Sequence, residues 1–213
     1  MKIYAVNLKN RKDRKAHIAS QFNRHTEFDL EIVPAIRHKV GAIGLWETLV
    51  NLIQNKINMN EDYFIFCEDD HQFTDDYDHS QLLDCIEKAK GFNADVLLGG
   101  VSWFEVAVKC KPNLFWINKF TGAQFMILFK SMYGRILGVD NFSKTDALDH
   151  KISALSSYIF TMYPFVSTQK EFGYSDVTIL NSFSGRVDGL FTTASDRLKI
   201  IDKVHDFIHV NGN

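Results

Sequence analysis

Apolar positions along this chain recur with two periods, one short and one close to a helical turn. Lys2 to Leu8 is rich in apolar residues with weak alternation and predicts a first buried strand. Glu31 to Ala35 predicts a second. From Gly41 to Ile57 the period lengthens: Trp46, Leu49, Val50, Ile53 and Ile57 fall on one face of a helix. Asp62 to Cys67 is a short, continuous apolar run, as a strand covered on both faces requires. Leu82, Leu83, Ile86 and Ala89 mark another helix, and Ala94 to Leu98 a strand closed by Gly99-Gly100. Phe115 to Asn118 and Ala123 to Phe129 read as strands, and Leu148 to Ser157 as a helix. Phe160 to Val166 reads as a strand whose Pro164 cannot donate to a ladder, which marks an edge or a strand end. Leu198, Ile201, Val204 and Ile208 trace a last helical stripe over 195–208.

Strands alternating with helices specify an α/β class, with a mainly parallel central sheet flanked by helices. We expect one α/β domain over residues 1–180 and a C-terminal extension, 181–213, whose helix closes on the core. In such sheets ligands bind beyond the carboxyl ends of the strands. Candidate chemistry is therefore sought in the residues just past each strand.

Composition removes several classes. At 213 residues, 46% hydrophobic and 23% charged, the chain is an ordinary globule and disorder is excluded as its main state. Lys+Arg of 24 against Asp+Glu of 26 gives a net charge of −2, which argues against a globally basic nucleic-acid binder. The longest membrane-like stretch, Thr121 to Val139, is broken by Lys130 and Arg135. The apolar run at the start is too short for the core of a signal peptide. Cys67, Cys85 and Cys110 form no C-x-x-C and read as reduced thiols, so a cytoplasmic protein is expected.

After the first strand, Lys9, Arg11, Lys12, Arg14 and Lys15 form a basic turn. Arg11 and Arg14 fall on one side of a helical turn and offer forked donors to a diphosphate. After the strand ending at Cys67 come Glu68, Asp69 and Asp70. Adjacent carboxylates repel one another, and Mn²⁺ or Mg²⁺ held by one or two of them plus substrate phosphates suits this chemistry. Together the two turns complement a nucleoside diphosphate bound through a divalent cation. They do not choose among glycosyl, nucleotidyl and phosphoryl transfer. No G-x-x-x-x-G-K-[ST], G-x-G-x-x-G or G-x-S-x-G is present.

These residues resemble glycosyltransferase family 25, the lipooligosaccharide galactosyltransferase-like group. Ile3 to Arg14 is similar to its opening strand and R-x-x-R. Gly41-Ala42-Ile43-Gly44 resembles its G-E-I-G, Phe66-Cys67-Glu68-Asp69-Asp70 its L-E-D-D, and Asp149-His150 a downstream D-H. The chain departs from the pattern at Ala42, at Thr48 in place of a serine, and at Leu49 in place of a histidine. The resemblance implies a GT-A-type fold of one Rossmann-like domain, a UDP-sugar donor, usually Mn²⁺, and inversion at the anomeric carbon. It implies a glycan or lipid-linked glycan acceptor in surface polysaccharide or lipopolysaccharide synthesis. On this pattern Asn7, Arg11, Arg14, Glu68 and Asp69 contact the donor, and Asp69 and Asp70 hold the metal. Asp149 is the candidate base, with Asp146 and Asp176 as competitors. Trp103, His150 and Asp176 are candidate acceptor contacts. A nucleotidyltransferase and an inactive glycan-binding relative stand as alternatives. The C-terminal stripe reads as a closing helix, or as a surface helix facing a lipid-linked acceptor at the inner membrane. Its mixed charges, Arg197, Lys199 and Lys203 beside Asp196, Asp202 and Asp206, do not make a basic anchor.

Overall fold

The computed structural model describes residues 1–176, 181 and 183–211. The first half runs β1 (Lys2–Asn7), α1 (Lys12–Phe22), β2 (Asp29–Pro34), α2 (Gly41–Asn55), β3 (Tyr63–Glu68), β4 (His71–Phe73) and α3 (His79–Gly91). The second half begins with β5 (Val96–Leu98), β6 (Trp103–Phe104), β7 (Ala107–Lys111), β8 (Leu114–Ile117), β9 (Phe120–Thr121) and β10 (Phe125–Phe129). It ends with α4 (Lys130–Leu137), α5 (Leu148–Leu155), β11 (Ile159–Met162), β12 (Ser167–Gln169) and α6 (Arg186–Asn211).

The class is α/β, as the alternation predicts. One sheet of eight strands has the order β2-β1-β3-β10-β5-β11-β8-β7. Six of these strands run one way, and β10 and β8 run against them. The period of two sorts side chains between two cores. Tyr4, Val6, Phe64, Phe66, Met126 and Leu128 face α2, α4, α5 and α6. Ile3, Ala5, Ile65, Cys67, Phe125 and Ile127 face α1 and α3. Both faces are dry, so these strands read as unbroken apolar runs.

The departures have local causes. Asn113, at φ 64, closes the β7–β8 hairpin in a conformation asparagine tolerates, and this hairpin supplies a reversed strand. Pro164 lies beyond the end of β11 rather than within it. The last helix starts at Arg186, earlier than the apolar stripe from Leu198 suggests. Its packing face is Val187, Phe191, Ala194 and Leu198, all buried, whereas Val204 and Ile208 face outward. Among the described residues no helix is long and apolar enough to cross a membrane.

Thr48 and Leu49, the positions that depart from the family pattern, serve packing here. The Thr48 hydroxyl donates to the Gly44 carbonyl at 2.6 Å and accepts from the Ile36 amide at 2.8 Å. Leu49 is fully buried in the core. This arrangement lays residues 36–38 directly on the first turn of α2. A Cβ at Gly44 would sit 2.4 Å from the Ile36 carbonyl oxygen, so only glycine fits.

Candidate active site

Parallel pairing of β1 with β3 sets Val6 beside Glu68, and the next residues of each strand meet beyond the sheet. There the Asn7 amide donates to one Asp69 oxygen at 2.7 Å. The Arg11 amide closes a turn onto the Leu8 carbonyl at 2.8 Å, and α1 starts at once. Its first turn carries Arg14 back over the strand ends. Arg14 donates from one nitrogen to the other Asp69 oxygen at 2.8 Å and to Asp70 at 3.1 Å. Both oxygens of Asp69 are therefore engaged by the protein. The second Asp70 oxygen, Oδ1, is buried with no partner.

The triplet is richer in acid than Arg14 alone offsets. Burial pushes the Asp70 carboxyl up to about 6, against the pull of Arg14. Burial also drives Glu68 well above the carboxylate range, helped by Asp70, Asp69 and Asp149. No side-chain donor reaches the Glu68 carboxylate among the described residues. No group of three metal-ligating side chains is assembled among the described residues.

Arg11 is committed as well. It forks onto Asp176 with bonds of 2.8 and 2.5 Å, and its guanidinium lies 4.3 Å from the Tyr174 ring centre. The Tyr174 hydroxyl donates to Asp13 at 2.6 Å, and its carbonyl accepts from Arg14 at 3.2 Å. The segment carrying these groups is tied to the start of α6. Glu171 accepts from the Gly185 and Val187 amides at 2.6 and 2.7 Å.

Asp149 stands on another wall, in the first turn of α5. One of its oxygens accepts from the Gly122 amide at 3.2 Å and the other from the His150 amide at 2.8 Å. Gly122 has φ +101, and a Cβ there would come within 3.0 Å of the Gln124 side chain. The turn that aims this amide at Asp149 thus depends on glycine. Burial raises the Asp149 carboxyl above its ordinary value. The charge of the adjacent His150 pulls against the effect of burial. Asp149 makes no ion pair among the described residues. Its two competitors do: Asp146 pairs with Lys151 at 3.2 Å and Asp176 with Arg11.

All these walls enclose one cleft of about 1040 Å³. It brings together Arg11, Arg14, Glu68, Asp69, Asp70 and Asp149, with His150 and Asp176 at its lining. Asn7 lies beneath it, its side-chain NH2 donating to Asp69 and to the Arg11 carbonyl. Trp103 is not part of the lining. β6 pairs with β9, which turns Phe104 inward and leaves Trp103 41% exposed elsewhere. The sequence reading overlooked four cations in the cleft: Arg37, Lys39, Lys144 and Arg186. None of the four is ion-paired among the described residues. Arg37 and Lys39 directly follow β2, where the strand-end rule points; Lys144 and Arg186 carry no comparable signal.

No protein-family model matches the sequence, and no curated protein matches it. Solved structures are similar to it, one of them closely enough to show the fold. The crystal structure of an apo UDP-glucose pyrophosphorylase superposes with a TM-score of 0.50 at 10% identity, over 92% of this chain and 82% of that one. A UDP-glucose pyrophosphorylase complexed with UDP-glucose gives 0.48 at 10% identity, over 93% and 81%. At such identity the likeness is one of fold.

Proposed function

We propose that the chain is a glycosyltransferase moving a hexose, galactose or glucose, from a UDP-sugar to a hydroxyl of a glycan acceptor, with inversion. The observation that carries this reading is Asp149, a half-buried carboxylate with no ion pair among the described residues, sharing one cleft with the acidic triplet. An attacking hydroxyl must lose a proton, and a carboxylate with a raised pKa is suited to take it. A phosphate nucleophile is already ionised and needs no such base. The His150 and Gly122 amides hold Asp149 in place and leave its outer lone pairs for the acceptor.

A divalent cation, Mn²⁺ or Mg²⁺, fits the triplet in a restricted way. The unpartnered Asp70 Oδ1 and the unbonded Glu68 carboxylate would hold it, with phosphates and water completing the shell. Asp69 would instead position Asn7 and Arg14. Such an ion supplies neutralisation of charge on the departing diphosphate. The surface-glycan or lipopolysaccharide acceptor is taken from the family resemblance.

A second reading, nucleotidyl transfer from a nucleoside triphosphate to a sugar phosphate, is favoured by the fold likeness to UDP-glucose pyrophosphorylase. Against it, the turn after β1 has no glycine, so its backbone is less free to cradle a triphosphate. The assay that decides offers two mixtures with Mn²⁺: UDP-galactose or UDP-glucose, and UTP with glucose 1-phosphate. UDP release from the first is expected. Pyrophosphate release from the second, with none of the first reaction, would replace our reading with the alternative.

A further inference from the structure

We infer that the second substrate, the one that meets Asp149, carries a phosphate-type anion held by Lys144 together with Arg37 and Lys39. The inference rests on the glycosyl-transfer reading for the word acceptor, but its evidence is a separate set of side chains. Arg11 and Arg14 are neutralised by the protein's own carboxylates. Arg186 opens α6 between the Gly185 and Val187 amides that Glu171 binds, which places it beside the Asp176 segment. That leaves three cations with no ion pair among the described residues on the α2 and α5 side of the cleft.

Two loops carry them, and both rest on the start of α2. Residues 36–38 pack on Gly44 and are bonded through Thr48. The loop before α5 is fixed by Phe142, which stacks on Trp46 at 4.8 Å and 10°. In that loop the Asp146 carboxylate is taken by Lys151 and by the Ser143 amide at 2.7 Å. The loop's other acid, Asp140, makes no ion pair with Lys144 among the described residues. The first turn of α2 holds no acid, and Val40 supplies no capping side chain. Three like charges lining one cleft repel, a repulsion that the cleft's carboxylates, Asp146 and Asp149 nearest in sequence to Lys144, offset only in part because none of them pairs with these cations among the described residues. A neutral sugar would leave that repulsion in place. A phosphomonoester accepts several charge-assisted bonds and removes it. The phosphate has two sources, a substituent on an acceptor glycan or the nucleophile of a sugar 1-phosphate.

The test is calorimetric titration of the protein saturated with UDP and Mn²⁺. The probes are glucose, glucose 6-phosphate and glucose 1-phosphate. At least one phosphosugar should bind about tenfold or more tightly than glucose, the scale of one charge-assisted bond. Lys144→Gln, and separately Arg37→Gln with Lys39→Gln, should each remove most of that preference and leave the UDP dissociation constant within about twofold. Turnover separates the sources: pyrophosphate from UTP and glucose 1-phosphate marks the sugar 1-phosphate, and UDP release stimulated by glucose 6-phosphate marks the acceptor. Equal binding of glucose and both phosphosugars would overturn the inference, as would displacement of the phosphosugars by UDP. Failure of UDP to bind at all would overturn the functional reading instead. The same titration without UDP would then still decide the anion site.

Discussion

The cleft has two basic regions, and they are built differently. At the start of α1, Arg11 and Arg14 are held by Asp176, Asp69 and Asp70 at 2.5 to 3.1 Å. Around the starts of α2, α5 and α6, the cations Arg37, Lys39, Lys144 and Arg186 line the same cavity with no carboxylate on them among the described residues. The first region has its charge cancelled before any ligand enters, and it serves to fix the acidic triplet. The second keeps its charge for a ligand. A basic run in sequence is thus a poor guide to where an anion binds; pairing in three dimensions decides.

The sharpest break in this comparison is made at the carboxylate that neither region neutralises. Asp149→Asn should lower turnover by about 10²–10⁴-fold, the range general-base catalysis supplies. The UDP-sugar dissociation constant should stay within a few-fold. Near-normal turnover would move the base elsewhere. The pH profile adds a sign. Asp149 acts as a base only when ionised, and burial raises its pKa in the fold. Activity should therefore fall on acidification at a higher pH than an ordinary carboxylate gives, read as the acid limb of kcat/KM.

The next effect separates the two arginines of α1 by stability. Arg14 is buried over Asp69 and Asp70, and Arg14→Ala strands their charge in a poorly solvated place. Breaking a buried pair from one side costs about 3–5 kcal/mol. Arg11 and Asp176 have side chains 31% and 33% exposed, so Arg11→Ala should cost about 1 kcal/mol or less. Urea unfolding of both variants reads the difference. Equal losses would mean that Arg14 is not the keystone of the triplet.

Much of the fold was legible because its strands are buried on both faces and its helices have one wet side. Tyr63 to Cys67 and Gly41 to Ile57 show this directly. β4, β6, β9 and β12 were not, since two or three residues without a flanking apolar run carry no period, and β7 was missed because this edge strand is polar and only partly buried. α4 was hidden because its buried Met132, Tyr133 and Ile136 continue the apolar run of β10. In the site, the strand-end rule located the basic turn and the acidic triplet. It did not show that Asp176, more than 160 residues away, closes on Arg11. Long-range pairing of two charges leaves no local trace. Trp103 illustrates the reverse error, an aromatic placed near a strand end that the β6–β9 pairing turns outward.

The smallest effect has the opposite sign and concerns Asp176. Its carboxylate occupies both donors of the Arg11 fork, the place a phosphate oxygen would take. Any diphosphate that uses Arg11 must first displace it. The pair is partly exposed, so its strength is about 1 kcal/mol or less, and the competition is correspondingly mild. Asp176→Asn removes the negative charge while keeping the shape and one acceptor oxygen. UDP should then bind up to about fivefold more tightly, because the ligand no longer competes with an internal anion. The gain should vanish in the Arg11→Ala background, where there is no fork to release. A loss of UDP affinity in Asp176→Asn would mean that Asp176 orders the Tyr174 segment over the nucleotide rather than competing with it. An unchanged affinity in both variants would place Arg11 outside the donor site, and the locked basic region would then be wholly structural.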